Sequence, residues 1–158
     1  ELVDHQWDHA IADDDYLEKA KIEGSELVIG PQRFKAVVLP PLTTLRRSTL
    51  KKLIEFYQAG GTVFAIHILP DSSPEAGGND VIIKEGIAQL FGPEQGRHVG
   101  AFVERQSTGG GKTCFVNYQV DTLIERLDVH LAKDVRVMEG PETHLPYQHR
   151  HKSEQHYY

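Results

Sequence analysis

The chain has 158 residues, 39% of them hydrophobic and 25% charged, with a formal net charge of -6. That length suits one domain with a true core, and the composition is neither that of a disordered chain nor that of a membrane protein. The acidic balance argues against a nucleic-acid backbone as partner, no apolar run approaches the roughly 18 residues of a bilayer span, and the lone Cys114 excludes an internal disulfide and a cysteine-based zinc site.

In chain order, residues 7–12 (WDHAIA) read as a first strand. Asp13, Asp14 and Asp15 follow at what should be a helix N-terminus, where carboxylates cap exposed N–H groups and complement the dipole. Tyr16, Leu17 and Ala20 give that helix a short apolar face. A triple Asp also suggests a cation site, but the spacing lacks the Gly and distal Glu of a calcium loop, so capping is preferred. A turn at residues 23–25 precedes a short strand at 26–29, which ends at Gly30-Pro31.

Residues 34–70 form the centre of the sequence. Residues 36–39 (AVVL) are a continuous apolar run closed by two prolines, as in a strand buried on both faces of a parallel sheet. Ser48 is the expected N-cap of the next helix, whose stripe is Leu50, Leu53, Ile54 and Tyr57. Gly60-Gly61 ends it, and residues 62–66 (TVFAI) read as a second buried strand. Two parallel strands joined by one helix form a right-handed crossover, and in open α/β sheets ligands bind beyond the carboxyl ends of the strands. Here that edge holds residues 40–44 and 67–73.

Residues 70–79 (PDSSPEAGGN) form a Pro-, Gly- and Ser-rich loop at this edge. Composition alone reads it as a mobile connection; its position makes it the best loop for function. Asn79 or Asp80 should cap a helix with Ile83, Ile87, Leu90 and Phe91 inward, ended by Gly92-Pro93. Residues 101–103 and 113–116 read as strands around the loop QSTGGGK. Asp121 should cap a helix burying Leu123, Ile124, Leu127 and Leu131, and residues 135–138 read as a last sheet strand. From Leu145 the alternation of polar and aromatic residues reads as a β-hairpin. The chain starts at Glu1 and closes on Tyr157-Tyr158 inside that strand-like run, from which we expect a piece of a longer protein.

No constellation of catalytic residues stands out. The GGGKT run at residues 109–113 lacks the first glycine of a phosphate loop, which falls on Gln106, and a strand-like run follows instead of a helix. His144, His149, His151 and His156 crowd the C-terminus with Glu154 as the near carboxylate, and polar surface or interdomain contacts are preferred to a metal site. Cys114 lies inside an expected strand without the glycines of a nucleophile elbow, and Ser72-Ser73 lacks the Gly-x-Ser-x-Gly pattern. Asp71 and Glu75 share one loop, and nothing in the sequence opposes them as glycoside chemistry requires.

The run WDHAIADDDYL, then GSELVIGPQRFKAVVLPPLTTLRRSTLKKLIEFYQAGGTVFAIHILPDSSPE, then LPYQHRHKSEQHYY resembles a segment of large α-L-rhamnosidase-type glycoside hydrolases. The matching positions are Asp8, Gly24, Leu27, Phe34, Pro40, Leu50, Leu53, Tyr57, Gly60, Gly61, Val63, His149, Arg150 and Tyr157. They cover most of residues 7–70 and the tail, and the resemblance fades between about Gly92 and Met138. It implies an amidotransferase-like, flavodoxin-like α/β domain, also found in some β-galactosidases, in three layers with a mostly parallel sheet. Residues 1–142 would form it, and residues 143–158 would open a following β-sandwich. It implies a non-catalytic accessory role in packing, oligomerisation or walling a sugar site, with the reacting carboxylates in a neighbouring barrel. No cofactor, metal or catalytic residue is carried over. Implied partners are the barrel and sandwich domains of the same polypeptide, a plant or microbial glycan and a second copy in a homo-oligomer, in a periplasmic or secreted setting; nucleic acid and membrane are not among them. The loop residues His67, Asp71, Ser72 and Glu75 are the candidate carbohydrate contacts. A stand-alone small-molecule-binding module of the same fold is the alternative. An amidotransferase-like enzyme ranks third, and fast alkylation of Cys114 at neutral pH would revive it.

Overall fold

The computed structural model describes residues 2, 5, 7–93, 102–117, 120–133, 150–152 and 155–157. It is an α/β structure that divides into two compact units, residues 12–119 and residues 1–11 with 120–158.

The larger unit opens with helix α1 (Asp14–Lys19), whose N-cap Asp13 accepts from the Tyr16 amide. A three-stranded antiparallel meander follows: β1 (Lys21–Glu23), β2 (Glu26–Ile29) and β3 (Gln32–Phe34). Then come β4 (Ala36–Leu39), α2 (Arg47–Gln58), β5 (Thr62–Ile66), α3 (Val81–Phe91), β6 (Phe102–Gln106) and β7 (Lys112–Val116). The second sheet has the order β4-β5-β7-β6, with β4, β5 and β7 parallel and β6 antiparallel to β7. It is therefore mixed, with one antiparallel edge.

Two expectations in this stretch need correction. Residues 7–13 form no strand. Ile11 is 97% exposed there, and a run this rich in Asp and His offers no apolar face to bury. The expected strand at residues 26–29 is present, and β1 and β3 join it in a separate meander, because two-residue turns at Gly24-Ser25 and Gly30-Pro31 fold the chain back on each side of it. Gly24 and Gly30 have φ of 61° and 59°, the left-handed backbone that tight hairpins demand and that glycine adopts at no steric cost. Finally, α2 starts at Arg47, so Ser48 lies inside its first turn and Arg46 is the N-cap, without a capping side chain of its own.

The core follows the expected stripes. Leu50, Leu53, Phe56 and Tyr57 of α2 and Ile83, Ile87, Leu90 and Phe91 of α3 are buried with Val63, Ala65 and Phe115 of the sheet. The alternate strand residues Phe64, Cys114 and Val116 point to the other face and are buried too, which explains why these strands read as unbroken apolar runs. Thr113 is tolerated in this interior because its hydroxyl donates to the Leu90 carbonyl at the end of α3.

In the smaller unit, α4 (Val120–His130) buries Leu123, Ile124 and Leu127, and Asp121 lies in its first turn instead of capping it. The expected C-terminal hairpin is present as β8 (Arg150–Lys152) paired antiparallel with β9 (Gln155–Tyr157). The expected strand at 135–138 lies outside the described residues, as do His144 and His149; His151 and His156 are register partners on β8 and β9.

Candidate functional site at the carboxyl edge of the sheet

The loop between β5 and α3 leaves the carboxyl end of a central parallel strand, where the sheet geometry favours ligands. Its composition suggested mobility, but its hydrogen bonds hold it. The amides of Asp71 and Ser72 donate to the Thr43 carbonyl (3.1 and 3.2 Å), and the Leu45 amide returns to the Ser72 carbonyl (3.0 Å). Ser73 and Gly77 exchange backbone hydrogen bonds, and the Asp80 amide reaches the Asp71 carbonyl (2.8 Å).

At the centre is Asp80, whose side chain is 2% exposed. Its carboxylate takes two parallel bonds from the Arg47 guanidinium, 2.8 Å from Nε and 3.1 Å from Nη2, the paired geometry that makes such contacts strong. It also accepts from the Ser73 hydroxyl and, as N-cap of α3, from the Ile82 amide (3.0 Å). Arg47 first, then Ser73, hold its acidity well outside the usual carboxylate range, on the low side. One carboxylate thus joins the first residue of α2, the start of α3 and the loop between β5 and α3. Glu75 completes the clasp by accepting the Arg47 amide (3.1 Å), so α2 receives from a residue 28 positions away the cap that its own sequence lacks. The Glu75 carboxyl is also held on the acidic side, by its own backbone amide first, with the Arg47 amide contributing.

His67 marks the other end of the loop. Its amide donates to the Val116 carbonyl of β7 (2.8 Å), and the Ile68 amide turns back to the Ile66 carbonyl (2.6 Å). The result is a three-residue turn centred on a histidine with φ of 61°. Turns of this hand are rare and strained, and a left-handed non-glycine residue costs roughly 1–3 kcal/mol. Among the described residues, only His67 and Asn79 (φ 59°) are non-glycines with positive φ, and they bracket this loop.

Between the loop and α3 lies an open cavity of about 640 Å³. His67, Asp71, Lys84 and Glu85 supply its polar groups, and Pro70 and Phe115 are among its apolar ones. Ser72 does not line it, but its hydroxyl donates to Asp71 Oδ1 (2.6 Å) and holds that carboxylate. Lys84 Nζ donates to Asn79 Oδ1 (2.7 Å). Of the four residues singled out in the sequence, two border the cavity, Ser72 positions one of them, and Glu75 is occupied as a helix cap. Lys84 and Glu85 escaped sequence reading because the apolar stripe of α3 identifies its buried face and says nothing of what its flank adjoins.

The other suspicious motifs have structural duties. Gly109 and Gly111 sit where the β6–β7 hairpin tip lies on the end of α2: a Cβ there would fall 1.9 Å from the Gln58 carbonyl oxygen or 1.8 Å from that of Tyr57. Ser107 Oγ donates to the Tyr57 carbonyl (3.0 Å) and accepts from the Gly111 amide (2.8 Å). The glycine run permits close approach between two pieces of backbone. Cys114 is 1% exposed in mid-β7, facing away from the cavity-lining Phe115. Among the described residues no three His, Cys, Asp or Glu side chains gather into a possible metal site, and no helix is long and apolar enough to cross a membrane.

No protein-family model matches the chain, and no curated protein does. Among solved structures, it is similar to Gan42B, a GH42 β-galactosidase from G. stearothermophilus, and to a catalytic mutant of that enzyme. Each match has 17% identity and a TM-score of 0.43, and covers 60% of this chain but 22% of the other. The chain thus spans about a fifth of those chains, and likeness at that level does not establish a shared fold.

Proposed function

We propose that the chain is a non-catalytic accessory domain, of the amidotransferase-like, flavodoxin-like kind, from a multidomain glycoside hydrolase of α-L-rhamnosidase type. It would act in domain packing, oligomerisation or the walling of a carbohydrate site. One observation carries this reading: five of the motif residues of the resemblance lie in the core of the larger unit. Leu27 is buried on β2, Leu50, Leu53 and Tyr57 form the inner face of α2, and Val63 is buried on β5. The loop that follows supports it, since Glu75 and Asp80 are engaged in holding helices and do not face one another as an acid–base pair. The cavity beside His67 favours a second reading, a stand-alone small-molecule-binding module.

The mass of the native polypeptide, detected in its own cells with an antibody to this domain, separates the two. A band several times larger than 17.8 kDa is expected for an accessory domain. A band near 17.8 kDa would overturn that reading and leave the binding module.

A further inference from the structure

We infer that the cavity between the loop and α3 binds one neutral, hydroxyl-rich ring, a pyranose unit, with Asp71 and Glu85 accepting from its hydroxyls and Lys84 donating to them. The inference rests on the glycoside-hydrolase reading for the choice of sugar, and on the geometry for the place and the chemistry.

The place is indicated twice. The cavity opens at the carboxyl ends of β5 and β7, and its volume falls within the range of small-molecule sites, roughly 300–1,000 Å³. Independently, His67 on its wall is held in a backbone conformation that glycine would adopt without strain. Strained residues of this kind concentrate at ligand clamps. The clasp around Asp80 holds the loop that forms one wall of the cavity.

The chemistry follows from the lining. Two carboxylates beside one ammonium disfavour a phosphate or a polyanion. A neutral ring with several hydroxyls uses both, because each hydroxyl donates one hydrogen bond and accepts others. Ile68, 38% exposed, and the exposed Pro93 offer apolar surface for the C–H face of such a ring. The hydroxyl of Ser72 already occupies one oxygen of Asp71 and leaves the other to accept from a ligand.

The test is titration of the whole 158-residue chain with neutral monosaccharides (rhamnose, galactose, glucose), followed by amide NMR, with inorganic phosphate and glucuronate as charged controls. The expected result is saturable shifts confined to residues 67–71 and 84–88 for at least one neutral sugar and none for phosphate. Two variants fix the assignment. Glu85→Gln should weaken binding about tenfold. Asp71→Asn should weaken it by a similar factor. Absence of shifts with every neutral sugar up to about 10 mM, ten times a millimolar dissociation constant, would overturn the inference. So would shifts scattered over the surface, equal shifts with phosphate, or undiminished binding by both variants. The outcome is separable from the immunoblot: a large parent band with no sugar binding sinks this inference alone, and sugar binding with a 17.8 kDa band sinks the accessory-domain reading alone.

Discussion

Two loops of the larger unit look alike in composition and are held by opposite means. The loop between β5 and α3 and the tip of the β6–β7 hairpin are both rich in glycine and serine. The first is fastened by side chains: Asp80, Arg47, Ser73 and Glu75 tie it to the starts of two helices. The second is fastened by the absence of side chains, since Gly109 and Gly111 let the hairpin backbone rest on the last carbonyls of α2. The side-chain clasp leaves an open cavity beside it, whereas the glycine seat closes the gap. Composition therefore says little about whether a loop is ordered; what decides is the partner it finds.

The largest effect should come from the glycine seat. Gly111→Ala puts a methyl group where the Tyr57 carbonyl oxygen already lies, so backbone must move. We expect a loss of about 3 kcal/mol in urea unfolding, at the top of the range for overpacking. A loss under about 0.5 kcal/mol, the level of an ordinary surface change, would show that the hairpin does not rest on α2.

The clasp should come next. Asp80→Ala leaves the Arg47 guanidinium without its carboxylate and removes the cap of α3, and the melting temperature should fall by roughly 10 °C. Circular dichroism would check this, and an unchanged melting temperature would mean that the loop is not held through Asp80.

The same carboxylates set an acid limit. The acidities of Asp80 and Glu75 are displaced below their ordinary values of 3.8 and 4.5. A group displaced downward on folding contributes stability that is fully present above its unfolded value and is lost as pH falls toward its folded one. Their contribution should be constant from neutral pH to about pH 5.5 and decline below it. Asp80→Asn should start less stable and lose less on acidification. A variant whose acid limb matches the parent's would remove Asp80 from this account.

Glu75→Ala should matter less, because Glu75 is exposed and its hold on α2 runs through the Arg47 amide; a fall of about 2 °C in melting temperature is expected. His67→Gly should have the smallest effect, with the opposite sign: a melting temperature unchanged or raised by a few degrees, since strain is relieved. A marked fall would show that the His67 side chain stabilises the loop more than its backbone strains it.

Much of the frame was legible in the sequence. The stripes Leu50-Leu53-Tyr57 and Ile83-Ile87-Leu90 and the runs AVVL and TVFAI identify α2, α3, β4 and β5, because burial imposes a period that local order preserves. The meander was missed although its signal was present: Gly24-Ser25 and Gly30-Pro31 are two-residue turns with glycine in the first position, and β1 and β3 are only three residues long. The apolar residues of WDHAIA imitated a strand, but no partner edge accompanies them among the described residues.

For the candidate site, sequence and fold divide differently. The sequence determined that a polar loop follows a buried strand and that Asp80 starts a helix, since both are properties of neighbouring residues. Only the tertiary structure decided that Glu75 caps a helix 28 residues upstream, that Arg47 and Asp80 close a clasp across 33 residues, and that Lys84 and Glu85 meet His67 and Asp71 around one cavity. Such pairings depend on where the β4–α2–β5 crossover sets two helix starts side by side. That is a consequence of packing the whole unit, and no local pattern encodes it.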